Sequence, residues 1–389
     1  MLLVLFPPKN NFIVENFCII LVCISEKFVI LQTRILFHIM DSKDIFKLRL
    51  KSAREMNGLS MAALAAKMNG IVSPQAIYKY EAGKMWPDST VLNVLCDVLG
   101  VDPDYFYTPV TVSLEGISFR KKAKMTEREK KMIIGKIKDG IERYYEIEDI
   151  CGIERKFTMN FHDTVVSSEE QVYELAARLR NEWELGKCGI NNVIGLLEDH
   201  NILVVETDAS EDFDGLSGSA DGSPVIVLNK NFSPERKRFT ALHELGHILM
   251  KFSENLAPKE IESLCHLFAN EVLIPRESFK EAVGDISSKP IHVDQFVNLQ
   301  MLYGVSIDAL MYKAMKLEMI PESRYVRFRK RKNSDNRFRQ VIEQTRIKPE
   351  SSDRFESLVY KAYAGELISL SKAATLLQIP ECSVKQIYV

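Results

Sequence analysis

The sequence predicts a mainly α chain with a small β-sheet: an all-α bundle at the N-terminal side, an α+β domain in the middle and a helical C-terminal region. Three observations carry this. Helix start and stop signals recur at close spacing between Asp44 and Tyr107, with no strand pattern. Two β-branched runs, in LEDHNILVVET and PVIVLN, stand out from a helical background. The 389 residues exceed what one hydrophobic core usually spans. An apolar fraction of 46% with 27% charged residues is ordinary for a folded chain.

In order along the chain, residues 1–40 form an apolar stretch interrupted by Pro7, Pro8, Lys9, Glu15, Glu26, Lys27 and Arg34. Its longest uncharged apolar run, Phe17 to Ile24, is far shorter than the roughly 20 residues that span a bilayer. It lacks the basic start and cleavage site of a secretory signal, so we read it as a misassigned or disordered leader before a start at Met40. The all-α bundle occupies 41–108. It opens with a helix over Ile45 to Met56, and Ser60 caps the next one, MAALAAKM. Ser73-Pro74 starts a third, Gly83 breaks it, and a last helix from Ser89 to Leu99 is closed by Gly100. Residues 109–160 are expected to be a linker and connecting helix, because Ile133, Ile134, Ile137 and Ile141 recur at helical spacing. The α+β domain follows over 161–320, and a basic linker with a helical region fills 321–389.

A formal net charge of −2 leaves no whole-protein field to draw in nucleic acid or an anionic membrane, so such contacts need a local basic surface. The seven cysteines are scattered and contain no C-x-x-C pair, which argues against a disulfide framework or a four-thiolate zinc site. A reducing cytoplasm is the expected location, with no membrane partner.

The chemistry concentrates in RFTALHELGHILM. His243 and His247 lie four apart within an apolar helical pattern, so both imidazoles share a face and can converge on one cation beside Glu244. A bare H-E-x-x-H also arises by chance on structural helices. Here it is accompanied by an upstream strand and an acidic helix, which favours zinc. Catalytic zinc takes three protein ligands and keeps a position for water. The third is expected from the next helix, with Glu262 first choice and His266, one turn on, as runner-up or as support for an imidazole. Glu260 and Glu271 are weaker candidates, expected at the solvent or at a helix end. His38, His162, His200 and His292 lie in contexts that suggest no site.

RFTALHELGHILM followed by EIESLCHLFANEVLIP resembles the ImmA/IrrE family of metallopeptidases. The likeness extends to RLRNEWELGKCGINNVIGLLEDHNILVVE, DGLSG, YGVSIDALMYKA and the tail KPESSDRFESLVYKAYAGELISLSKAATLL, covering most of residues 110 to 380. It implies a zincin-like fold, Zn2+ held by His243, His247 and Glu262, and Glu244 as the general base that passes a proton from water to the leaving amine. His266 stands where the family usually has Asn or Asp. PVIVLN is the expected edge strand for pairing with an extended substrate.

Residues 45–107 resemble the lambda-repressor-like (XRE, Cro/CI type) helix-turn-helix family, with the E-x-G-x-x-x-P signature at Glu81, Gly83 and Pro87. In that geometry the third helix enters the major groove. Ser73, Gln75 and Tyr78 are then the candidates for bases and phosphates, Gln75 able to read adenine, and Lys79 and Lys84 for phosphates. Lys47, Arg49, Lys51 and Arg54 suggest one basic face, although a bundle used for protein contact is the competing reading. The basic runs Arg120 to Lys131 and Arg324 to Lys332 are expected to be solvated linkers. Two functions compete: an endopeptidase that cleaves a repressor or other regulatory protein, and an operator-binding regulator whose zinc is structural or sensory. A homodimer would suit paired half-sites.

Overall fold

The computed structural model describes residues 42–110, 112–116, 125–286 and 292–385. The leader at 1–40, His38 and the first part of the basic run from Arg120 lie outside the described residues. Among those described are seventeen α-helices and six short strands. No helix among them is long and apolar enough to cross a membrane.

The N-terminal bundle contains α1 (Ser42–Met56), α2 (Met61–Lys67), α3 (Pro74–Glu81) and α4 (Ser89–Leu99), closed by a 3-10 turn at Pro103–Phe106. Its boundaries follow local chemistry. The Ser60 hydroxyl accepts from the Ala63 amide at 3.1 Å, and Ser73 does the same for Ala76 at 3.2 Å. Gly100 ends α4 with a φ of 67°, a conformation that side chains resist. Phe46, Leu50, Leu64, Ile77, Leu95 and Phe106 fill the centre.

The basic face expected on α1 does not form as predicted. Arg49 is buried, donating to the Thr108 and Pro109 carbonyls and pairing with Glu142 at 2.5 Å. Arg54 forks onto both carboxylate oxygens of Glu81 at 2.6 and 2.8 Å. Two of the four cations therefore satisfy buried acceptors, and the Glu81 of the E-x-G-x-x-x-P signature is one of their anchors.

Helix α5 (Glu127–Ile150) begins at a capping box between Thr126 and Glu129. Its Ile133, Ile137 and Ile141 face the sheet, in one cluster with Val225 and Val227. Gly135 allows α1 to come close, since a Cβ there would sit 3.1 Å from that of Met56. At its far end Ile147 packs with Val359, Ala362 and Leu376. One helix thus touches the bundle, the sheet and the C-terminal helices.

The main sheet has the order β1 (Leu114–Glu115), β4 (Gly215–Ala220), β5 (Ser223–Asn229), β3 (Leu203–Thr207), while β2 (Val165–Val166) pairs with β6 (Lys251–Phe252). PVIVLN, expected at an edge, is the central strand β5: β3 pairs with it in parallel and β4 antiparallel. Its unbroken apolar run suits a strand buried on both faces, with both rows of backbone groups already used.

Helices α6 (Glu169–Glu182), α7 (Val193–Asp199), α8 (Pro234–Leu249) and α9 (Pro258–Leu273) build the largest core with this sheet, joined by α10 (Arg276–Val283), α11 (Val293–Tyr303) and α12 (Ile307–Lys316). The expected basic linker is instead helical, as α13 (Glu322–Ser334) and α14 (Asn336–Glu343), and α15 (Arg354–Ala364), α16 (Leu370–Leu377) and α17 (Glu381–Lys385) end the described chain.

Candidate metal centre

Ser233 caps α8 and Pro234 occupies its first turn, so the helix starts nine residues before His243 and carries it well past the frayed end. The Nε2 atoms of His243 and His247 lie 3.3 Å apart. Helix α9 crosses close enough to bring in a carboxylate because Gly246 has no side chain; a Cβ there would stand 3.2 Å from the Phe268 ring. Glu262 places one oxygen 3.2 Å from His243 Nε2 and the other 3.7 Å from His247 Nε2. A tetrahedral zinc with bonds of about 2.0–2.1 Å separates its ligand atoms by roughly 3.4 Å. The three side chains fit that ion in spacing and in chemistry, two imidazoles and a hard oxygen, and all their ligand atoms lie within 4.8 Å of one another.

His266, the alternative third ligand, stands outside this trio. Its ring is 4.4 Å from that of His243 and stacks 5.6 Å from Phe239, beside the site at the solvent-exposed side of α9. Glu260 accepts from the Ala257 amide at 2.7 Å and caps α9. Glu271 lies at the helix end, the second of its two expected places, and is buried in the last turn of α9, where Lys313 donates to it at 2.8 Å. Of the other histidines, His162 is exposed, His200 stacks on Trp183 at 4.0 Å with burial lowering its pKa, and His292 pairs with Asp294 at the surface.

Glu244 sits beside the trio, 3% exposed. The hydroxyl of Ser217 on β4 donates to its Oε2 at 2.6 Å. Sequence reading missed Ser217 as a site residue. The signal was the S of D-G-L-S-G, a segment with no chemistry of its own until the strand is laid against α8.

A second layer missed by sequence reading holds α8 in place. Arg238 pairs with the buried Glu350 and donates to the Ile190 carbonyl at 2.6 Å. Lys237 donates to Glu206 at 2.8 Å and to the Glu350 carbonyl at 2.6 Å. Glu235 accepts from Gln300 at 2.9 Å and Thr345 at 2.8 Å. Glu350 also accepts from the amide of Val193 at 2.9 Å, capping α7.

Two family models match the chain. A helix-turn-helix model spans residues 50–106, and a model of peptidase family M78, described as an IrrE N-terminal-like domain, spans residues 197–315 with α8 and α9 inside it. The chain joins a helix-turn-helix domain to an IrrE N-terminal-like domain. A comparison with curated proteins returns no match.

Within the helix-turn-helix domain, which supports DNA binding, α3 turns Ile77 and Tyr80 inward. Ser73, Gln75, Tyr78 and Lys79 are exposed on it, and Lys84 follows in the next turn with its Nζ 5.9 Å from the Tyr78 ring. All five expected contact residues are therefore solvent-facing. Ser73 is partly committed, since its hydroxyl caps α3.

Proposed function

We propose that the IrrE-like domain is a zinc-dependent endopeptidase in the cytoplasm that cleaves a repressor or other regulatory protein, and that the helix-turn-helix domain binds operator-type DNA through Ser73, Gln75, Tyr78, Lys79 and Lys84. The observation that supports it most is the convergence of His243, His247 and Glu262 with Glu244 held alongside by Ser217. These three residues would hold the ion. Bound there, zinc would supply Lewis acidity, enough to bring the pKa of a water near 7.

We assign the proton transfer to Glu244. Ser217 fixes one carboxylate oxygen, leaving Glu244 in one orientation as it takes a proton from the attacking water and returns it to the leaving amine. The substrate has a backbone to pair with, although not β5. We assign that pairing to β4, whose Ser217 meets Glu244 beside the site. His266, flanking His243, supports that imidazole instead of completing the ligand set.

Glu244→Gln tests the reading with the full chain. The expected result is one zinc per chain by metal analysis, as in the wild type, with cleavage of a co-expressed target repressor reduced about 10²–10⁴-fold. Equal cleavage by the variant, or equal regulation in the cell, overturns the peptidase in favour of a regulator with structural zinc.

A further inference from the structure

The segment 322–348 carries ten Lys and Arg against three acidic residues, in a chain whose net charge is −2. Its two helices sort these cations by face. On the inner face of α13, Tyr325 and Phe328 pack against the main core, and Lys332 is tied to Asp308 at 2.5 Å and Glu343 at 3.0 Å. Arg324 donates to the Ile286 carbonyl and Arg339 to that of Asn333. On the outer face Arg327, Lys330 and Arg331 follow at i, i+3 and i+4, which sets their Cβ atoms about 5–6 Å apart. Arg337, in the first turn of α14, adds a further exposed cation to the segment. Arg327, Lys330 and Arg337 are exposed and have no ion pair among the described residues; Arg331 rests over the Phe338 ring at 4.2 Å and reaches Asp335 only at 4.0 Å.

An ordinary solvated helix intersperses the two signs, since like charges three or four apart repel. Here the inward Lys332 takes Asp308 and Glu343, and the outward Arg327 and Lys330 are left with no ion pair among the described residues. The helix-turn-helix domain is short of such charge, because Arg49 and Arg54 are consumed by Glu142 and Glu81. We infer that the outer face of α13 and α14 is a second DNA contact, one that binds the phosphate backbone without reading sequence. The choice of DNA over an acidic protein rests on the DNA-binding reading of the helix-turn-helix domain in the same chain.

The test measures affinity for a random-sequence duplex, across a salt series, in the full chain. Arg327→Gln/Lys330→Gln/Arg337→Gln removes three outward charges and leaves the packed inner face intact, and its thermal midpoint checks the fold. The expected result is a log K against log salt slope shallower by about 2–3 units, close to 0.9 for each phosphate that is no longer neutralised. Arg327→Lys/Arg337→Lys keeps the charges and is expected to keep the wild-type slope. Gln75→Ala/Lys79→Ala separates the two readings. If this pair weakens binding and the triple variant leaves the slope unchanged, the second contact is overturned and the helix-turn-helix reading stands. If only the triple variant weakens binding, the second contact stands alone. A triple variant with the wild-type slope but impaired binding to an acidic protein overturns the assignment to DNA.

Discussion

Helices α8 and α3 carry the residues proposed for the two chemistries of this chain, and they are built in opposite ways. Along α8 nearly every residue is buried, charged ones included: Glu235, Lys237 and Arg238 each meet a partner from a distant segment. Along α3 the apolar stripe is Ile77 and Tyr80, Glu81 at its end is tied to Arg54, and Gln75, Tyr78 and Lys79 face the solvent. The difference matches what the proposed function asks of each. Three side chains closing on one ion need sub-ångström placement, which takes a helix fixed from all sides. A helix read by a macromolecule needs only a stable inner stripe and an unobstructed outer one.

The largest effect expected from this contrast is at Glu350. Its carboxylate meets Arg238 and the amides of Val193 and Ile194, and its carbonyl takes Lys237. Glu350→Ala leaves a buried guanidinium and two helix-terminal amides without that partner. We expect a loss of about 3–5 kcal/mol in the denaturation free energy of the domain, with zinc content falling in parallel. A variant with the wild-type denaturation midpoint would break the comparison, since α8 would then not depend on its remote anchor.

This anchor also marks the limit of what could be read from the sequence. The caps at Ser60 and Ser73, the stop at Gly100 and the H-E-x-x-H face are local patterns, each legible within a turn or two of helix. Glu262 was legible because α9 is the next helix after α8, with only the two-residue β6 between them. Glu350 lies 112 residues from Arg238 and Ser217 lies 27 from Glu244, and nothing periodic links the members of either pair. Charge is equally silent about its own fate: Arg49 and Arg54 looked like surface cations beside Lys47 and Lys51 and are buried. The unbroken apolar run of PVIVLN did contain the signal for a central strand, since an edge strand of a half-exposed sheet alternates.

A smaller effect is expected one step along the same clasp. Ser352 donates to Glu198 at 2.6 Å, and Arg354 donates to the Glu198 carbonyl, holding α7 as Glu350 holds α8. Burial pushes the Glu198 carboxyl from 4.5 up to about 7, against the lowering effect of Ser352 and Arg354. A carboxyl whose folded pKa is raised binds its proton more tightly when folded. Its contribution is therefore full below about pH 4.5 and is lost as the pH climbs to 7. Glu198→Gln keeps the neutral shape. It should match the wild type near pH 4 and be more stable at pH 8 by up to ~3 kcal/mol, at about 1.4 kcal/mol per pH unit. Parallel stability curves for the two proteins between pH 4 and 8 would mean that Glu198 does not titrate in this window.

The smallest effect on the fold, and the other arm of the comparison, belongs to Gln75. Its side chain is exposed in the first turn of α3, just after the Ser73 cap, and its removal touches neither Ile77 nor Tyr80. Gln75→Ala should change stability by no more than about 0.5 kcal/mol, as surface substitutions do. It should cost about 1–3 kcal/mol in preference for the cognate operator over a site with the contacted adenine replaced, because a bidentate amide is lost. Denaturation and competition binding measure the two quantities on one preparation. A stability loss comparable to that at Glu350 would mean that α3 is held by its outer face as α8 is. Unchanged operator preference would instead mean that Gln75 faces the groove without reading it, leaving selectivity to Ser73 and Tyr78.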